Sequence, residues 1–309
     1  MAETTAGTRN SKFEFTGETR HVMGRRLHRI RAVSDLLGVS AGDLGGWLEH
    51  EGNLSAEGDA WVDGDACVYG EARVCSGARV YGEARVCDDA RVYGDAQVLE
   101  SAWVSGDAQV SGRAHVLGRA WVSGKAQVFG NAQVSGDAWV AGDAQVSGDA
   151  KVGASARVYG RAQVYDGVWV YDDAWVYGDA QVFGNAKVGA SARVYGSAQV
   201  FGRAQVYGEA QVSGAAQVSG AARVYGAASI CDDAVVDADS DYAVFKNCWS
   251  SMRWVTYTRS NRMWTAGCFT GTGTELVEKA YKDSELSGRC YEAIVRAMED
   301  IERAMTKKG

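Results

Sequence analysis

The chain has no proline among its 309 residues and only four histidines. Proline cannot donate to a β-ladder, so its absence fits a body in which nearly every backbone N–H joins an inter-strand hydrogen bond. The scarcity of imidazole narrows the chemistry on offer to His21, His28, His50 and His115. No apolar run approaches the ~20 residues that a membrane span needs, so no membrane partner is expected. Met1 to Phe15 is polar, unlike a secretory signal, and a cytoplasmic location is the expectation. Seven cysteines, an odd number without a C-x-x-C pair, fit neither a disulfide framework nor a zinc ribbon. Neither a metal site nor a cofactor is expected.

What the chain has is a repeat. From Ala60 to Val236 every sixth residue is Val, with Ile230 the single substitute, and the residue two before it is Ala, with Val168 the single substitute. The thirty hexads contain no insertion or deletion, which is the mark of a solenoid rather than a compact domain broken by loops. Ala-x-Val-x is a period-two strand pattern that points Ala and Val inward. Gly, Asp, Asn or Ser then fills the two positions before the next Ala, so each hexad is one short strand and one corner. Cys67, Cys75, Cys87 and Cys231 take outward positions, where they read as reduced surface thiols.

The outward position before each Val shows how many hexads close a coil. Gln109, Gln127, Gln145, Gln163, Gln181, Gln199 and Gln217 form a column of spacing 18, and Trp103, Trp121, Trp139 and Trp175 form a second, interrupted by Arg157. Three hexads therefore make one coil and thirty make ten. With a layer spacing of about 4.8 Å, the stack would be a triangular prism roughly 48 Å tall.

A three-sided coil of hexads with Val inside resembles the left-handed parallel β-helix of the hexapeptide-repeat superfamily. Ahead of it, Gly45-Gly46-Trp47-Leu48, Asn53-Leu54-Ser55 and Gly58-Asp59-Ala60-Trp61-Val62 resemble the start of the YdcK-type β-helix proteins of bacteria and their prophages. The resemblance implies an all-β solenoid and a phage or prophage setting, but no activity. Superfamily members that are enzymes work between the subunits of a trimer and use histidines. Here only His115 lies in the repeats, with no carboxylate or second imidazole at a matching spacing, so it reads as a polar surface residue.

Composition divides the chain into an N-terminal segment and cap (1–46), the β-helix (47–240) and a C-terminal ββαα domain (241–309). Asp and Glu number 22 against 14 Lys and Arg in residues 59–239, but 9 against 11 in 240–309. An acidic solenoid makes nucleic acid an unlikely ligand there. In the head, the alternation His28 to Val33 reads as a capping strand. In the tail, Met252–Thr258 and Met263–Phe269 read as a hairpin, Thr272 and Glu275 as a capping box before a helix, and Tyr291, Ile294, Val295, Met298, Ile301 and Met305 as the apolar stripe of a second helix from about Gly288.

The surface columns carry the functional expectation. Trp103, Trp121, Trp139, Arg157, Trp175 and Arg193, with Tyr159, Tyr177 and Tyr195 after the same valines, make an aromatic and arginine strip on one wall. Stacking and cation–π attraction suit such a ladder, and Trp, Tyr and Arg are the usual hot-spot residues of interfaces. The Gln column on the next wall is expected to form amide ladders. We expect a non-enzymatic binding or scaffold protein with a protein partner, an inhibitor of a host defence system being one such role. The alternatives are a trimeric acyltransferase built around His115 and a self-assembling structural element. Trp254, Trp264, Met298, Ile301 and Met305 are the expected contacts of a homodimer or homotrimer, leaving a β-helix that folds without residues 241–309.

Overall fold

A computed structural model describes residues 10–250 and 252–306; residues 1–9 of the head and 307–309 of the tail lie outside it. The chain divides into two compact units, one ending at Gly184 and one beginning at Asn185. Both contain the coil read from the hexads, a β-solenoid with an 18-residue turn.

In the first unit each hexad contributes a two-residue strand, and like strands stack in parallel. Trp103 pairs with Trp121 and Val104 with Val122 on one wall, Gln109 with Gln127 on the next, and His115 with Gln133 on the third. We call these the aromatic, glutamine and third walls. The Trp103 N–H donates to the Ala120 carbonyl and the Ser105 N–H to that of Val122, both at 2.9 Å, and this pattern recurs from layer to layer. The inward residues, including Ala102, Val104, Ala108 and Val110, are wholly buried, as are Val168 and Ile230 at the two departures from the motif. Val fills each wall, and small Ala leaves room for the chain to turn.

Corners take a left-handed backbone. Gly106 has φ 68°, and a Cβ there would stand 3.0 Å from the backbone N and O of Gly124 in the next layer. Asp88, Glu100 and Asp166 hold the same conformation with a side chain, at φ 61°, 60° and 63°. Their carboxylates accept the N–H of the corner one layer on, Gly106 at 3.0 Å, Gly118 at 2.7 Å and Gly184 at 3.1 Å. Part of the acidic surplus of the solenoid is therefore structural.

The head is a β-hairpin, β1 (Phe13–Val22) and β2 (Arg25–Ala32), continued by β3 (Leu44–Leu48). β2 runs antiparallel to β3, and β3 runs parallel to Cys67–Val68, so the hairpin extends the aromatic wall past its first coil. Side chains satisfy the edge that remains. Lys12 Nζ donates to the carbonyls of Glu57 and Ala60 at 3.2 and 3.3 Å, and Asn10 Nδ2 to that of Leu54 at 3.1 Å. Fully buried Asn53 gives both amide hydrogens to the Gly70 and Ala72 carbonyls, each at 2.9 Å. Burial lowers the Lys12 pKa, with the Asp59 charge opposing it.

The second unit holds three strands on each wall and then the tail. The expected hairpin is the middle of a four-stranded antiparallel sheet, Tyr242–Lys246, Trp254–Thr258, Met263–Ala266 and Phe269–Gly271. Helix α1 (Gly273–Asp283) starts at the predicted box: the Glu275 N–H donates to Thr272 Oγ1 at 3.3 Å, and the Thr272 N–H to Glu275 Oε2 at 2.8 Å. Helix α2 (Glu285–Thr306) begins slightly before Gly288, whose missing Cβ makes room for the Tyr281 ring. The tail helps to cap the solenoid. Thr256 and Ser260 each accept a backbone N–H from the final coil, beside Asp239 at the end of the solenoid itself.

Candidate interaction surface

The aromatic wall of the first unit carries a continuous ring stack. Trp103 lies on Trp121 at a centroid distance of 5.5 Å, and Trp121 on Trp139 at 5.9 Å, with planes 18° and 23° apart. At the next layer Arg157 replaces Trp, and the stack passes to Tyr159, 6.4 Å from Trp139, and on to Tyr177, 5.0 Å further and parallel within 1°. Tyr159 therefore bridges the gap that the column of residues before Val showed. Arg157 sits 4.9 Å over Trp175, and Arg85 5.9 Å over Trp103.

Hydroxyls hold the indoles in place. Trp121 Nε1 donates to Ser105 Oγ at 3.1 Å, and Trp139 Nε1 to Ser123 Oγ at 3.3 Å, each sixteen residues back. Each ring is thus fixed by a stacking partner and a hydrogen bond, yet Trp121 stays 42% and Trp139 37% exposed. Trp103, Trp175, Tyr159 and Tyr177 are half-buried and Arg157 is exposed. Arg193 and Tyr195 belong to the second unit, where Tyr195 donates to Gln211 Oε1 at 3.3 Å.

The start of this wall is covered. Leu27 and Val22 of the hairpin pack with Trp47, Cys67, Tyr69, Cys87 and Trp103. The Arg20 guanidinium lies 4.5 Å over the Trp47 ring and donates to Asp65 and to the Cys67 sulfur. Cys67 and Cys87 are consequently buried, not surface thiols as the hexad position suggested; Cys75 and Cys231 are half-buried. Burial pushes the Cys67 and Cys87 thiols up, against the pull of Arg20 on the first and of the Trp103 and Tyr69 hydrogen bonds on the second. Neither is poised as a thiolate.

The segments 84–100 and 132–148 match the family described as YdcK Beta solenoid repeat, and each contains one strand from every wall. The body of this chain is a β-solenoid whose repeats are similar to that family's. No curated protein matches it.

The other expected site residues fall in several places. His115 lies half-buried on the third wall between Gln97 and Gln133. Among the described residues no group of three His, Cys, Asp or Glu is placed to hold a metal ion, and no helix is long and apolar enough to cross a membrane. The Gln column is in register, but among the described residues no amide–amide bond joins Gln109, Gln127, Gln145 and Gln163, so the expected ladder does not form there; Gln109 Oε1 instead accepts the Tyr93 hydroxyl at 3.2 Å. In the tail, Trp264 is buried in the local core beside Tyr257, Leu276 and Val295, where no partner reaches it, and Met298 packs on that core. Trp254, Ile301 and Met305 remain exposed.

Proposed function

We propose that this chain is a non-enzymatic binding protein that offers the uncovered part of its aromatic wall to a protein partner. The observation that carries the reading is the Trp121–Trp139 pair, two stacked and hydrogen-bonded indoles left open to solvent. Large exposed aromatic patches on folded proteins mark interaction sites, and Trp, Tyr and Arg supply most of the binding energy at interfaces. Rings already locked in one arrangement have little conformational entropy left to lose on binding.

The chain's own hairpin supports the reading, since polypeptide already packs on this wall at Trp47, Cys67 and Cys87. A partner at Trp121 and Trp139 would extend the same mode of contact. The phage or prophage setting that the resemblance implies makes a bacterial host protein the partner we put forward, a defence component met in the cytoplasm. The acidic surplus of the solenoid favours protein over nucleic acid, because its carboxylates repel phosphates.

The test compares the parent with a Trp121→Ser/Trp139→Ser double variant and, as a control on the third wall, Gln133→Ser. Each captures protein from a host lysate, and the captured protein is then purified and titrated against all three. The reading expects affinity to fall at least about tenfold in the double variant alone. Equal affinity for all three overturns it.

A further inference from the structure

We infer that the chain also binds a mononucleotide, a planar base carrying a phosphate ester, in a cleft of its second unit. The cleft arises where the regular wall meets the tail sheet. Along its floor the outward residues of three paired layers shorten from Arg193 to Gln211 to Ser229, at positions where the first unit carries indoles. Across from them the tail supplies Arg253 and Trp254. The cleft is half open, with a volume of about 450 Å³, within the ~300–1,000 Å³ of small-molecule sites.

The lining has the parts that such a ligand needs. Guanidinium groups bind phosphate through planar, charge-assisted hydrogen bonds, and Arg193 and Arg253 both line the cleft. Arg253 has no carboxylate in ion-pair range among the described residues. Trp254 is 43% exposed although Val255 beside it is buried, and an exposed indole is a stacking platform for a base. Lys246 Nζ lies 5.3 Å over that indole and adds positive charge. Glu209 and Gln211 offer acceptors for ribose hydroxyls and base N–H groups. In residues 240–309 basic residues outnumber acidic ones, eleven to nine, unlike in the solenoid. A partner protein on the aromatic wall of the first unit uses none of these residues.

Isothermal titration of the full chain with AMP, adenosine, ribose 5-phosphate and inorganic phosphate tests the inference. AMP is expected to bind saturably, and adenosine and inorganic phosphate each at least about tenfold more weakly, since each lacks one of the two anchors. Arg253→Gln and Trp254→Ala should each weaken AMP about tenfold with an unchanged melting temperature, while Trp121→Ser/Trp139→Ser binds AMP like the parent. No saturable AMP binding up to millimolar concentration, inorganic phosphate binding as tightly as AMP, or an affinity unmoved by both cleft variants would overturn it.

Discussion

Thr256 Oγ1 accepts the Ser229 backbone N–H at 2.9 Å, at the layer where the aromatic wall has no further coil to pair with. The other two walls end in the same way, with the Val235 N–H on Ser260 Oγ and the Arg223 N–H on Asp239 Oδ1, both at 2.7 Å. One donor from each wall meets one side-chain oxygen, and the open sheet edge that invites end-to-end stacking is closed. Such an end opposes the self-assembling alternative.

Thr256→Val keeps the shape of the side chain and removes the acceptor. Ser229 N–H is partly buried, so the variant should lose about 1–2 kcal/mol of stability. Urea unfolding followed by far-ultraviolet circular dichroism measures it. Deleting residues 241–309 removes several caps at once and should cost more than any single substitution; a truncated chain as stable as the parent would show that solvent satisfies the last coil equally well.

The body was readable because its residues answer to one rule: Val104, Val122 and Val140 have the same neighbours at the same spacing, and three matching columns determine the register. The caps obey no repeat. Nothing in the hexads announces that β1 and β2 fold over Cys67 and Cys87, so an outward position passed for an exposed one. Trp264 was misplaced for a related reason. Its burial depends on the helices and on the flanking strands Tyr242–Lys246 and Phe269–Gly271, which lack a strong alternating pattern. The passage of the ring stack from Trp139 to Tyr159 crosses from the column before Val to the column after it, and a count along one column misses it.

Corner chemistry gives a second prediction. Gly106→Val forces a branched side chain into the left-handed region against the Gly124 backbone, costing about 1–2 kcal/mol in conformation alone and more from the close contact. Gly106→Asp should cost less, because its carboxylate can accept the Gly124 N–H as Asp88 accepts that of Gly106. Equal losses in the two variants would remove this account of the acidic corners.

Alkaline pH tests the cap at Tyr242. Burial raises its hydroxyl pKa to about 12, although a hydrogen bond with the Tyr225 backbone pulls the other way. The hydroxyl donates to the Arg223 carbonyl at 2.8 Å, which requires the protonated form. With the folded pKa above the unfolded value of 10.0, the native state holds the proton more tightly. The resulting stabilisation is complete below pH 10 and is lost as the pH rises through about 12. Burial also raises Tyr69 and Tyr257 and adds to the same fall. Tyr242→Phe should show a shallower loss of stability between pH 10 and 12 than the parent; identical slopes would mean that the Tyr242 hydroxyl is hydrated in the folded chain.

Self-association through the tail has fewer routes than the amphipathic stripe suggested. With Trp264 inside the local core and Met298 packed on it, the apolar residues left exposed on α2 are Leu286 alone at its start and the pair at its far end, Ile301 at 48% and Met305 at 41% exposure. Those two side chains line an apolar hollow of about 230 Å³ with Tyr242, Ala243 and Tyr257. The paired side chains and the hollow make this end of α2 the candidate contact between copies of the chain. Sedimentation of the parent at increasing concentration should then show an oligomer that Ile301→Glu/Met305→Glu reduces to a monomer, both variant positions being open enough to leave the fold intact. The Trp121→Ser/Trp139→Ser chain should sediment like the parent. A parent that stays monomeric, or an Ile301→Glu/Met305→Glu chain that still associates, removes the tail as the assembly element; association lost only in the Trp121→Ser/Trp139→Ser chain would mean that the aromatic wall takes a second copy of this chain.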